Sequence, residues 1–259
     1  MRAFLRHAFV ALLVFAVALP FLWMAYAAFL PPELVNSGEI TRFGFSLANF
    51  GALAPEGFWW RLLYSLAVSG LATLLALASG LPAAYALRDG APLLGLVLFL
   101  LAVPAEMLLV PLYGVLNSTR LLGGPWALIL PFAASPFVIF LLYQGLRAVP
   151  WEIIEAARID GAGERLILQK ILLPVMMPHL VTAGVLSFAA HWNLVLYPRV
   201  MTTEPWWTLQ VWMADLVRKY PSDWGLLSAA ALLGTLPLAL VYLLFERKII
   251  ETFEGSLKG

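Results

Sequence analysis

The sequence predicts an all-α membrane protein with six transmembrane helices, and three observations carry that reading. Hydrophobic residues fill 62% of the 259 positions and charged ones only 12%, which leaves too little polar surface for a soluble globule. Six stretches, about 8–30, 62–87, 91–116, 125–146, 178–198 and 225–245, are apolar over lengths suited to a bilayer. The charges fall between them. This predicts one membrane domain, 1–259, with outer loops at 31–60 and 199–224, an inner stretch at 148–177 and a polar tail at 246–259.

Composition also excludes several classes. The net charge of +1, with no dense basic cluster, argues against a nucleic-acid partner. There is no cysteine, and His7, His179 and His191 are too scattered for metal-ligand spacing, so neither a disulfide nor a metal site is expected. No G-x-x-x-x-G-K-[ST], dinucleotide fingerprint or nucleophile–base constellation occurs. The chain is therefore read as a non-enzyme that binds no cofactor of its own.

The elements follow in order. The first span is preceded by Arg2 and Arg6, and Ala25-Tyr26-Ala27 has the small-x-small look of a signal cleavage site. The apolar run is longer than a usual signal core, so a retained span is expected. A loop containing Ser46–Phe50 (SLANF) leads to the second span, where Ser69, Gly70, Ala72 and Ala76 favour close helix packing. Arg88-Asp89-Gly90 is a tight turn. The third span is interrupted by Pro104, Glu106 and Pro111, and the fourth holds Pro131 and Pro136. The last outer loop carries Trp206, Trp207 and Trp212, suited either to anchoring at the membrane interface or to docking a partner.

Basic residues set the orientation. With the N-terminus inside, Arg2, Arg6, Arg88, Arg147, Arg158, Arg165, Lys170, Arg247, Lys248 and Lys258 lie on inner segments. Only Arg42, Arg61, Arg120, Arg199, Arg218 and Lys219 lie outside. The positive-inside rule then places both termini and the 148–177 stretch in the cytoplasm.

That stretch organises the chain. From Trp151 to Pro178 it is the longest charged interval, and Glu152–Ile159 has good helix formers with Ile153, Ile154 and Ala157 on one side. Gly161 can close the helix in a left-handed conformation, and Asp160 can accept hydrogen bonds from nearby amides as the chain turns. Leu166, Ile167, Lys170 and Ile171 restart a helix, with kinks set by Pro174 and Pro178. Glu155 has Arg158 and, across the turn, Arg165 within reach.

Glu155-Ala156-Ala157, Asp160-Gly161, Ile171, Leu173-Pro174 and then Pro178 resemble, in order and spacing, the EAA motif of ABC-importer permeases. The similarity runs from about residue 45 to the end. It includes SLANF, Pro104–Tyr113, Trp192-Asn193, Tyr197-Pro198 and the Gly255–Gly259 ending, where Ser256 and Leu257 replace the Ala-Val often found in this family. Together these look most like the second permease subunit of maltose-type carbohydrate importers. The resemblance implies a MetI-like permease fold in the inner membrane and a coupling helix docking on an ATPase. It also implies a homologous second permease, two ATPase subunits that use ATP and Mg, an extracytoplasmic solute-binding protein and a carbohydrate cargo. The coupling role would fall to Glu155, Ala156, Ala157, Asp160, Gly161, Ile171, Leu173 and Pro174.

Candidates for the translocation path are Glu106, Trp192, Asn193 and Tyr197. A charged side chain at a helix centre costs ~2.5–3.5 kcal/mol on insertion scales, so Glu106 must face water, a headgroup region or another helix. Asn193 can bind a sugar hydroxyl or tie two helices together. The rival reading is an ion-coupled secondary transporter, for which several intramembrane charges and inverted repeats are the mark. A membrane enzyme would need paired acids or a His and an acid facing each other, and neither is apparent.

Overall fold

The computed structural model describes residues 2–39 and 41–256. Lys258 and residues 257–259 of the Gly255–Gly259 ending lie outside the described residues. Among the described residues the chain is helical, with no strand: α1 (Arg2–Phe29), α2 (Pro32–Ser37), α3 (Ala48–Gly51), α4 (Phe58–Arg88), α5 (Leu94–Ala102), α6 (Leu109–Ser118), α7 (Trp126–Ile129), α8 (Pro136–Arg147), α9 (Glu152–Ile159), α10 (Glu164–Leu166), α11 (Leu173–Val175), α12 (Met177–Trp192), α13 (Leu196–Met201), α14 (Leu209–Lys219) and α15 (Trp224–Ser256). Four helical stretches are long and apolar enough to cross a membrane, and six if each of two bent pairs is one span.

Both bends have local causes. Residues 94–102 and 105–118 meet at 96°. Val103 is extended (φ −79°, ψ 121°), as steric conflict with the following Pro104 requires, and Pro104 itself cannot donate to the helix before it. The span expected at 91–116, with its interruptions at Pro104, Glu106 and Pro111, is therefore two helical segments joined by a 3-10 turn that carries Glu106. The second pair, 164–175 and 177–192, meets at 79°. Ile167–Leu172 widens into a π-helical turn just ahead of Pro174, whose missing N–H leaves the Lys170 carbonyl without its α-helical donor. The helix breaks at Met176 and restarts with Pro178 in its first turn.

The described residues cluster into two compact units, one falling within Met1–Tyr64 and Thr208–Pro237, the other within Ser65–Trp207 and Leu238–Gly259. In the first, buried Asn49 of the SLANF segment donates its Nδ2 to the carbonyls of Ala28 (3.0 Å) and Leu30 (2.8 Å), closing the end of α1. A Cβ on Gly225 would sit 2.5 Å from the Asn49 amide oxygen, so glycine is what lets α15 start there. Lys219 (2.7 Å) and Tyr220 (2.7 Å) both donate to the Glu56 carboxylate, which they hold below its usual range. Trp212 donates to the Glu56 carbonyl at 3.1 Å and packs edge-on to Phe58. Trp212 is thus a core residue of this unit rather than an interfacial anchor.

The core of the second unit joins Leu81, Ala84 and Tyr85 of α4, Val138, Leu142 and Leu146 of α8, Ile154 of α9, Ile167 and Leu172 of the π turn, and Met176, Leu180 and Ala183. Helices α8 and α12 pack tightly at Gly145, where a Cβ would lie 2.4 Å from the His179 ring. The helix expected to end at 198 stops at Trp192, and α13 follows after a short break.

Candidate coupling site

Eight residues are too few for a helix to persist alone in water, so α9 must be held by its neighbours. On one side Ile154 is fully buried in the second unit's core and Ala157 packs against it. At its C-terminus Gly161 takes φ +83°, with Gly161 N–H bonded to the Arg158 carbonyl (3.0 Å) and Ala162 N–H to the Ala157 carbonyl (2.9 Å). These are the paired bonds of a Schellman closure. The turn amides are thereby satisfied by backbone, and among the described residues no hydrogen bond reaches the Asp160 carboxylate, contrary to expectation. The same Asp-Gly-Ala sequence closes α4 in the same way, with Gly90 at φ +108° and Ala91 N–H bonded to the Ala86 carbonyl at 3.0 Å.

The two helix ends are tied through Arg158. Its Nη1 and Nη2 donate to the two carboxylate oxygens of Asp89 at 2.9 and 2.8 Å, a bidentate pair. Its Nε donates to Glu164 Oε1 at 3.1 Å, and Nη2 also donates to the Tyr85 hydroxyl at 2.9 Å. That hydroxyl donates in turn to Glu164 Oε2. Arg158 holds the Asp89 carboxyl below the usual range, and Tyr85 together with Arg158 does the same for Glu164. Next to them Arg88 donates to the carbonyls of Leu146 (2.6 Å) and Val149 (3.4 Å) and lies 5.1 Å over the Trp151 ring.

With Arg158 engaged elsewhere, the pair expected between it and Glu155 is not formed. No hydrogen bond or ion pair among the described residues involves the Glu155 carboxylate, which is exposed beside exposed Ala156. Ile153 is 45% and Ile159 85% exposed. Of the inward set Ile153, Ile154 and Ala157, then, Ile153 turns out and Ile159 joins it. The outward face of α9 is a carboxylate and a small residue flanked by two isoleucines. Downstream, Ile171 packs against the core, while Leu173 and Pro174 are exposed.

The path candidates separate. Buried Trp192 stacks on Phe188, and the buried Tyr197 hydroxyl donates to the Ala127 carbonyl at 2.7 Å. Exposed Asn193 donates back to the Ala189 carbonyl at 2.8 Å, which ties it to its own helix end. These three flank the break between α12 and α13, whereas Glu106 is exposed on the turn after Pro104. Tyr85, Arg88, Asp89 and Glu164 were not among the predicted site residues. The signal available was a charged Arg-Asp at the very end of an apolar span, with nothing nearby in sequence to pair with.

Comparison with known proteins decides the family. The sequence profile of the binding-protein-dependent transport system inner membrane components matches residues 90–250, more than half of the chain. The chain belongs to that family. As a binding-protein-dependent transport component it is a multi-pass protein of the inner membrane, in a family of importer permeases that work with ATPases and binding proteins rather than of enzymes. It is 30% identical to the arabinooligosaccharides transport system permease protein AraQ of Halalkalibacterium halodurans, over 96% of this chain and 94% of that protein. It is 31% identical to the diacetylchitobiose uptake system permease protein NgcG of Streptomyces coelicolor, over 95% of this chain and 86% of that one. A chain in the crystal structure of a bacterial ABC transporter importing the acidic polysaccharide alginate superposes with a TM-score of 0.81 at 17% identity, covering 95% of this chain and 96% of that one. The fold is therefore that of the ABC-importer permeases.

Proposed function

We propose that this chain is a permease subunit of an ATP-driven carbohydrate importer and that α9 is its coupling helix. The observation that carries the reading is the two-faced state of α9: Ile154 sealed in the core, Glu155 unpaired and Ile159 85% exposed on the outside. An eight-residue helix held this firmly yet presenting apolar surface and an unspent charge is suited to a groove on a partner. Sugars are the favoured cargo because the relatives named above carry arabinooligosaccharides and diacetylchitobiose.

In the working assembly two ATPase subunits bind ATP and Mg, a second homologous permease completes the path, and an extracytoplasmic binding protein delivers the sugar. Both termini and 148–177 face the cytoplasm, in line with the distribution of basic residues. Asp160 and Gly161 end the helix, Ile171, Leu173 and Pro174 set the following bend, and Glu106, Trp192, Asn193 and Tyr197 border the path.

The test is Glu155→Lys in proteoliposomes holding all subunits. Glu155 has no internal partner, so the chain remains folded and inserted. A basic partner residue left unpaired in the ATPase groove costs roughly 2–5 kcal/mol, enough to abolish stimulated ATP hydrolysis. Normal stimulation by the variant removes the coupling role.

A further inference from the structure

We propose that Tyr85 and Asp89 are positioning residues for the coupling helix: with Arg158 and Glu164 they lock α9 to the end of α4, so that a push on α9 moves α4 with it. The inference rests on the coupling reading above and adds the route by which the push leaves α9.

Flanking segments alone would make a poor joint. Helix α9 is preceded by the loop 148–151 and followed by the turn at 160–163, and a helix slung between two loops can tilt without moving anything else. Burial of Ile154 resists its withdrawal but is non-directional. The Arg158 network supplies the direction. Its bidentate pair with Asp89 fixes the guanidinium plane against the last residues of α4, and the Nε bond to Glu164 fixes the same plane against the start of α10. The Tyr85 hydroxyl closes the ring by accepting from Arg158 and donating to Glu164. Arg88, one residue before Asp89, grips the Leu146 and Val149 carbonyls and covers Trp151. The terminal turn of α4 thus holds the chain on both sides of α9. Within the second unit α4 runs back from this turn, with Pro82 inside it, through the core residues Ala84, Leu81 and Ala76, so a displacement of its end is carried inward along that packed stretch.

A lysine at 158 keeps the charge but cannot reproduce the planar fork. That gives a test of geometry rather than of charge. The chain has no cysteine, so spin labels can be placed at Glu152→Cys on α9 and Leu74→Cys on α4, in the full complex with its ATPase and second permease. In the otherwise unaltered chain the label separation is expected to be single, narrow and the same in nucleotide-free and ATP/vanadate-trapped complexes. Asp89→Asn, Tyr85→Phe and Arg158→Lys are each expected to lose that narrow distance on trapping while retaining the ATPase in pull-down. Asp89→Asn combined with Arg158→Lys should broaden it no further than the worse single variant, because the groups act as one unit. A separation that changes between states without any substitution, or variants that keep the narrow distance, overturns the lock. Failure of the coupling reading shows differently: the ATPase would then stay bound when α9 carries Ile159→Glu.

Discussion

Two isoleucines five residues apart on one short helix give the sharpest separation of folding from docking. Ile154 is fully buried and Ile159 is 85% exposed. Truncating Ile154 to alanine removes buried methyl groups and leaves a cavity, which costs about 2–5 kcal/mol of stability. Truncating Ile159 removes atoms that already face solvent, so stability should change by less than about 0.5 kcal/mol. On docking the ranking reverses. Burying an isoleucine side chain in a partner groove is worth about 1.5–3 kcal/mol. Ile159→Ala is then expected to weaken ATPase association about ten- to a hundredfold, with an unaltered thermal midpoint for the permease itself. The assay is titration of the ATPase onto permease in nanodiscs, paired with thermal unfolding of the same preparation. Unchanged ATPase affinity for Ile159→Ala refutes the docking face, whatever Ile154→Ala does.

Three further outcomes follow from named contacts. Single cysteines at Gly163 and Ser222, tested with a membrane-impermeant thiol reagent on intact cells, should react at 222 and not at 163; the opposite pattern inverts the orientation. Gly145→Ala places a methyl 2.4 Å from the His179 ring and should cost about 1–3 kcal/mol by overpacking, seen as a lowered thermal midpoint, whereas Gly163→Ala, with nothing within 4 Å, should be neutral. Lys219 and Tyr220 lower the Glu56 carboxyl from its ordinary 4.5, so its stabilisation is fully present above that value and is lost as pH falls through the lower folded value. Glu56→Gln should accordingly raise amide exchange in α14 at neutral pH, and the difference from the unaltered chain should vanish in strong acid.

The 151–178 stretch was legible where the physics is local. Glycine at 161 is needed because the backbone there has φ +83°, and helix formers followed by Asp-Gly announce that stop. Ile154 could be assigned inward from periodicity, but its neighbour Ile153 could not be told from it, because an eight-residue helix offers barely two turns to set a phase. The partners of Arg158 were hidden for another reason. Glu155 lies three residues away and satisfies the usual spacing for a helical pair, while Asp89 lies 69 residues away, and only the fold brings it near. The third span shows the same division: Pro104 marks a break in the sequence, but the 96° turn that follows depends on what the chain packs against afterwards.

A third of the Arg158 side chain and more of the Asp89 side chain remain open to solvent, so water competes for these groups and the pair contributes little to net stability. Yet the network uses the Arg158 donors on three different groups, and that is hard to reconcile with an incidental surface contact. The two properties fit if orientation, not stability, is what the network supplies. An apolar joint of the same size would hold α9 at least as strongly, but side chains in such a joint can slide past one another with little change in energy. A planar fork on a carboxylate weakens steeply with angle. A helix that must deliver force in one direction therefore gains more from a modest, angle-sensitive joint at its half-buried C-terminal end than from a larger apolar one, provided its inner side is already anchored, as Ile154 anchors α9.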